Sequence, residues 1–216
     1  MIDRAAQSLW LRVAACDYNE RSGRTGDRFN TYDAAFRNAM LSLVIDALWL
    51  MIPAYVPNSS AVIFAGKTPI DFGQNFVDGR RLFGPGKTFR GLIGGTLSGI
   101  AVGLLLQLIR ESTQIGVPSF EPISVVVTLS LGAMLGDLTK SFLKRRLGLD
   151  RGSPLPVADQ LDFVVGAWVL TYIFFSGWFV QNFTLPVIVV VLILSPLLHL
   201  VVNLIGYKLG KKKEPW

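Results

Sequence analysis

The sequence predicts an all-α integral membrane protein: five transmembrane helices with a polar site facing the cytoplasm. Three observations carry this. Of 216 residues, 51% are hydrophobic, and the mean hydropathy is +0.46. Charged residues make up 17%, against about 25% in a soluble domain. The apolar residues gather into five runs, each near the ~20 residues that cross a bilayer, with the ionic residues packed between them. The formal net charge of +6 does not point to nucleic acid, because the Lys and Arg lie in short segments between the runs. Cys16 is the only cysteine, which excludes an intrachain disulfide, and a single histidine, His199, leaves no histidine metal cluster and no Ser-His-Asp triad.

Residues 1–39 read as an N-terminal extension, with six arginines, five acids and no long apolar run. Residues 5–15 have the pattern of a short amphipathic helix, and Arg12 breaks the stretch too early for a signal peptide. Met40 then opens a hydrophobic segment as an initiator methionine would. The alternative is an amphipathic tail lying on the membrane. The five runs are 41–64, interrupted by Pro53 and Pro57, then 89–110, 122–143, 158–180 and 184–206. Residues 40–210 are thus the membrane domain and 211–216 a basic tail.

Basic residues set the orientation. The 66–90 segment carries Lys67, Arg80, Arg81, Lys87 and Arg90; the 140–155 segment carries Lys140, Lys144, Arg145, Arg146 and Arg151; the tail adds Lys208, Lys211, Lys212 and Lys213. Segments 111–121 and 181–184 have no Lys or Arg. The three basic segments therefore face the cytoplasm, with the C-terminus. The arginines of 1–39 then fall on the opposite side, which favours Met40 as the start. Gly91, Gly95, Gly99 and Gly103 recur every four residues along the second run, a ridge for close helix packing, and Gly132 and Gly136 repeat it on the third. Asp46, inside the first run, either pairs with a base or lines the site, or is solvated at the outer interface. His199 and Asn203, four apart, read as groups that hydrogen-bond a neighbouring helix. Trp10, Trp49, Trp168, Trp178 and Trp216 read as interface anchors or packing.

The densest chemistry lies in 136–163, GDLTKSFLKRRLGLDRGSPLPVADQLDF. On a helix Asp137, Lys140, Ser141 and Lys144 share one face. Lys144, Arg145, Arg146 and Arg151 crowd together, Gly152, Pro154 and Pro156 force a turn, and Asp159 and Asp162 lie three apart on the next helix. Carboxylates flanking a basic turn suit a magnesium-bound triphosphate. A positive cytoplasmic loop would explain the bases but not three aspartates at the membrane edge, where ionisable groups are costly and usually functional. The second constellation is 66–95, with Lys67, Thr68, Asp71, Asp78, Arg80 and Arg81 before GPGKTFRGLIGG. Its two Gly-Lys-Thr triplets are not P-loops, because Ala61 and Arg81 stand where the leading glycine is required. Glycines here let backbone approach phosphate.

The 136–163 stretch resembles the signature of the phosphatidate cytidylyltransferases, GDLxxSxxKR followed by DRxD: Gly136, Asp137, Leu138, Ser141, Lys144 and Arg145, then Asp159, Gln160, Leu161 and Asp162. Arg151-Gly152 stands where a Lys-Asp pair is usual, and SPLPVADQ replaces a histidine-containing turn. Both departures are similar to a shorter branch, the CDP-archaeol synthases. Pro85, Lys87, Thr88, Gly91, Gly94 and Gly95 resemble the family's PKKTxEGxxGG, with Arg90 in place of Glu, and TPIDFG at 68–73 also looks like that branch. The resemblance covers roughly residues 40–210. It implies a membrane enzyme that joins CTP to an isoprenoid glycerol-ether phosphate, releasing pyrophosphate. It implies Mg²⁺ held by Asp137, Asp159 and Asp162, and a leaving pyrophosphate met by Lys87, Lys144 and Arg145. Lys67, Arg90 and Arg151 then meet the lipid phosphate or the ribose end, and Asp71, Thr88, Gly91 and Ser141 join them as substrate-binding positions. Homodimer assembly is left open. Two rivals are a CDP-alcohol phosphatidyltransferase, whose downstream carboxylates are missing after Asp78-Gly79, and an ion- or proton-coupled transporter, whose charges belong at mid-membrane rather than at one face.

Overall fold

The computed structural model describes residues 25–149, 152, 153, 155 and 157–208. The helix expected at 5–15, Trp10, Trp216, Arg151, Pro154, Pro156, the side chain of Asn203 and the basic tail lie outside the described residues. Five helices follow one another: α1 (Thr25–Ile63), α2 (Phe89–Thr113), α3 (Ser124–Arg146), α4 (Ala158–Asn182) and α5 (Leu185–Lys208). By length and composition, α1 from Asp33 onward, α2, α3 and α4 are able to cross a membrane, and α5 presents a shorter apolar stretch, Leu185–Val201, among the described residues. Four of the five helices begin and end within a few residues of the expected boundaries. The exception is α1, which begins at Thr25 and passes through Met40 unbroken, so the change in composition at Met40 is not a break in structure.

The bundle is organised around α3. Of its most apolar stretch 61% is buried, against 28% or less in α1, α2 and α4. Leu50 and Met51 of α1, Val125, Val126 and Leu129 of α3, Val164 of α4 and Val191 of α5 are wholly buried together. The glycine ridge of α2 lies against α1 at Gly91, Gly95 and Gly99 and against Val126 of α3 at Gly103, and small residues let the backbones approach. A Cβ at Gly99 would come within 2.6 Å of the Pro53 carbonyl oxygen. That carbonyl is free because Pro57, four residues on, has no N–H to give it. Ser130 of α3 donates its hydroxyl to it at 3.0 Å, so the proline interruption of α1 is satisfied by a neighbouring helix rather than by water. The opposite face of α2, with Ile93, Leu97, Leu104 and Leu108, is exposed, as befits contact with lipid.

At the end of the bundle away from the charged segments, Phe120 stacks between Trp49 and Trp178. The two indole N–H groups donate to the carbonyls of Pro118 and Ser119 at 3.1 and 2.9 Å. At the other end the chain folds into polar loops. Among the described residues there is no strand; the 64–88 segment is held by two isolated bridges, Pro69 with Thr88 and Asn75 with Arg81.

Candidate active site

The 64–88 loop is shaped by Asp71. Its side chain is fully buried, and its two oxygens accept from the Gly73, Phe83 and Gly84 amides at 3.0, 3.2 and 2.8 Å and from Arg81 at 2.5 Å. Burial pushes this carboxyl up, but the Arg81 guanidinium and the three amides outweigh it and hold the pKa at about 2. The carboxylate has no capacity left for a ligand. Asp71, expected to bind substrate, instead sets the backbone that carries Gly84 to Lys87.

Two arginines fasten this loop to the end of α3. Arg80 donates to the Arg145 and Arg146 carbonyls, the last of that helix, at 3.3 and 2.9 Å. In return Arg146 reaches the Arg80 and Arg81 carbonyls at 3.2 and 2.7 Å and the Asp78 carboxylate at 2.8 Å, lying over the rings of Phe76 and Phe142. Thr88 caps α2, its hydroxyl accepting from Gly91 and Gly66 amides at 3.2 Å each. Gly91 is buried where a side chain would press on the Ala61 carbonyl. Thr88 and Gly91, expected to touch substrate, thus cap and pack the start of α2.

On α3 the face predicted from the sequence is present, and it meets the start of α4. A side chain at Gly136 would run into the Asp162 carbonyl, and one at Gly166 would meet Gly136 in turn, so glycine at these crossings lets Asp137 and Asp162 come together. The ionic groups then alternate. Lys87, from the loop, pairs with Asp137. Lys140 pairs with Asp137 at 3.1 Å, Asp162 at 2.7 Å and Asp159 at 3.5 Å. Lys144 pairs with Asp159 at 2.6 Å and donates to the Ser153 carbonyl at 2.8 Å. The Leu155 amide also donates to Asp159 at 2.6 Å. Asp162 is the most enclosed: its side chain is 4% exposed, and neither oxygen has a well-formed hydrogen bond beyond the Lys140 ion pair.

A cleft of about 240 Å³ opens beside this chain of charges. Its walls are the Phe83 to Lys87 turn on one side and Lys140, Ser141, Lys144 and Arg145 on the other, with Gly152 at the edge. Ser141 donates to the Asp137 carbonyl at 2.9 Å and so borders the cleft with its hydroxyl engaged. Lys67 and Arg90 are exposed and are not among the residues that line it. Lys140, Arg80, Arg81 and Arg146 were not among the expected site residues. Lys140 alone had a usable signal, its place on the face shared by Asp137 and Lys144.

Carboxylate oxygens are the donors a hard divalent cation prefers, and the unsatisfied oxygens of Asp162 add to the fit. No set of three His, Cys, Asp or Glu side chains is arranged as a metal cage among the described residues. The three aspartates converge on the Lys140 ammonium instead.

Residues 40–216 match a family model described as CarS-like, CDP-archaeol synthase. The chain is 50% identical over 168 residues to the CDP-archaeol synthase of Methanospirillum hungatei, covering 77% of this chain and all of that one. It is 47% identical over 181 residues to that of Halobacterium salinarum, covering 82% and 99%. A solved structure, described as structural insight into an intramembrane enzyme for archaeal membrane lipids biosynthesis, superposes with a TM-score of 0.63 at 36% identity over 74% of this chain and 94% of that one.

Proposed function

The chain belongs to the CDP-archaeol synthase family, and from that premise we propose that the cleft between the Phe83 to Lys87 turn and the end of α3 is where CTP and the lipid phosphate react. The enzyme is a multi-pass, CTP-dependent cytidylyltransferase acting on an archaeol-type lipid phosphate. One observation supports this location above the others: Lys87, Lys140 and Lys144 line one cleft and pair with Asp137, Asp159 and Asp162, six charged groups drawn from three separate segments.

In this reading a lipid phosphate oxygen attacks the α-phosphorus of CTP in line, and the bond to pyrophosphate breaks. The attacking phosphate needs no strong base, its second pKa being about 6. What remains is positioning and charge neutralisation. Lys87, Lys144 and Arg145 face the leaving pyrophosphate. Asp137, Asp159 and Asp162 hold Mg²⁺, which neutralises charge on the triphosphate when bound. Lys67, Arg90 and Arg151 meet the lipid phosphate or the ribose end. The Lys and Arg bias supports a cytoplasmic site and C-terminus, with the lipid chains between the helices.

The test is pyrophosphate release from CTP by the purified protein, with ether- and ester-linked lipid phosphates, with and without Mg²⁺. Release that needs lipid and Mg²⁺ and favours the ether lipid is expected. Lipid-independent release, or ion flux in proteoliposomes without any release, would sink the reading and favour a transporter.

A further inference from the structure

Lys140 differs from its neighbours in touching every carboxylate of the cluster. Lys87 reaches Asp137 and Lys144 reaches Asp159, but the Lys140 ammonium is within 3.5 Å of Asp137, Asp159 and Asp162 at once. Its side chain is 16% exposed, and the side chains of Asp137 and Asp162 are 11% and 4% exposed. Three carboxylates this close and this enclosed repel one another strongly. In the absence of a divalent ion something must hold them, and only Lys140 is shared by all three. It sits one helical turn from Asp137, and its other side lines the cleft. Its flexible four-carbon stem therefore has two polar destinations, the carboxylates and the phosphate-binding space.

We infer that Lys140 is a tethered counter-cation. It is a positioning residue that holds Asp137, Asp159 and Asp162 together before the divalent ion arrives. It yields them when the ion binds and turns its charge toward the phosphates in the cleft. The inference rests on the metal reading above, and it predicts that lysine and metal compete for the same oxygens. Removing the lysine should make the metal-free protein depend on divalent ion for stability. It should also make that ion bind more tightly, since a competitor is gone and the cluster is more negative.

The experiment uses the full chain in detergent, purified with divalent ion and then stripped with EDTA. Thermal unfolding is followed for the wild type, K140M and K140R, and Mn²⁺ binding is read by electron paramagnetic resonance. In EDTA, K140M should unfold on the order of 5–10 °C below wild type, as expected for a buried charge cluster that has lost its partner. K140R, which keeps the charge, should recover most of that loss. Mn²⁺ should close the gap and should bind K140M about tenfold more tightly than wild type. A K140M protein that survives only with divalent ion present would be the same result in stronger form. Equal unfolding temperatures in EDTA, or Mn²⁺ binding unchanged or weaker in K140M, would overturn the inference. Failure of both proteins to bind Mn²⁺ would remove the metal from the proposed mechanism and the competition with it, while the gap in EDTA still decides whether Lys140 neutralises the cluster.

Discussion

Asp162 is a nearly enclosed carboxylate whose counter-cation is Lys140, an expensive arrangement unless the group is used. Asp137 and Asp159 share its counter-cation. Replacing any one of the three with Asn keeps shape and removes a charged oxygen donor. Asp137→Asn, Asp159→Asn and Asp162→Asn should each lower turnover by at least about tenfold while the protein still inserts; two variants with near-normal pyrophosphate release would contradict the metal assignment. Asp71 has a different fate. Its folded pKa of about 2 lies below the ordinary 3.8, so its contribution is fully present above pH 3.8 and is lost as pH falls toward 2. The shift corresponds to about 2 kcal/mol. An acid titration of thermal stability should therefore fall less steeply between pH 4 and 2 in Asp71→Asn than in wild type, from a lower starting value; parallel curves would show the carboxylate does not hold the loop. Both aspartates stand in recognisable motifs, yet their roles differ for a reason composition does not carry: Asp71 finds three backbone amides and an arginine, whereas Asp162 finds one lysine.

α3 and α4 meet through Gly132, Gly136 and Gly166, and the separation of these two helices decides whether their carboxylates share anything. A methyl at Gly136 would collide with the Asp162 carbonyl, backbone that yields only if the helix moves. Gly136→Ala should lower turnover at least about tenfold, because a displacement on the order of 1 Å at a reacting site costs that much or more. Gly177→Ala, on the same α4 but with nothing near its Cβ, should leave it unchanged. Equal activity of the two variants would show that close approach is not what assembles the site. The glycine spacing was readable as a packing ridge, and the proline interruption of α1 was readable too. That Ser130 would supply the missing donor to Pro53 was not, because it depends on which helix lies opposite.

At the scale of the whole molecule, residues 1–39 stand apart from the family match. The family match begins at residue 40, α1 continues across that point, and its first wholly enclosed residues come later, from Ala47 to Ala54. A chain starting at Met40 should insert and release pyrophosphate at a near-normal rate in membranes; loss of insertion or activity would make the segment part of the working enzyme.

Sequence alone carried the membrane class, and residue spacing put Asp137 and Lys144 on one helix face and Asp159 and Asp162 on the next, since apolar run length and residue spacing on a helix are local properties. It also carried the family, through motif positions from Lys87 to Asp162. Tertiary structure decided the rest. Lys140 was one base among many until three carboxylates from two helices closed on it. Asp71, Thr88 and Gly91 read as ligands for substrate, and the loop gives each a structural partner that spacing does not reveal. Lys67 and Arg90 belonged to the same basic segment as Lys87, yet only Lys87 turns inward. A side chain's charge is written in the sequence, but its partner is set by which segments pack together, and at this site partners decide the chemistry.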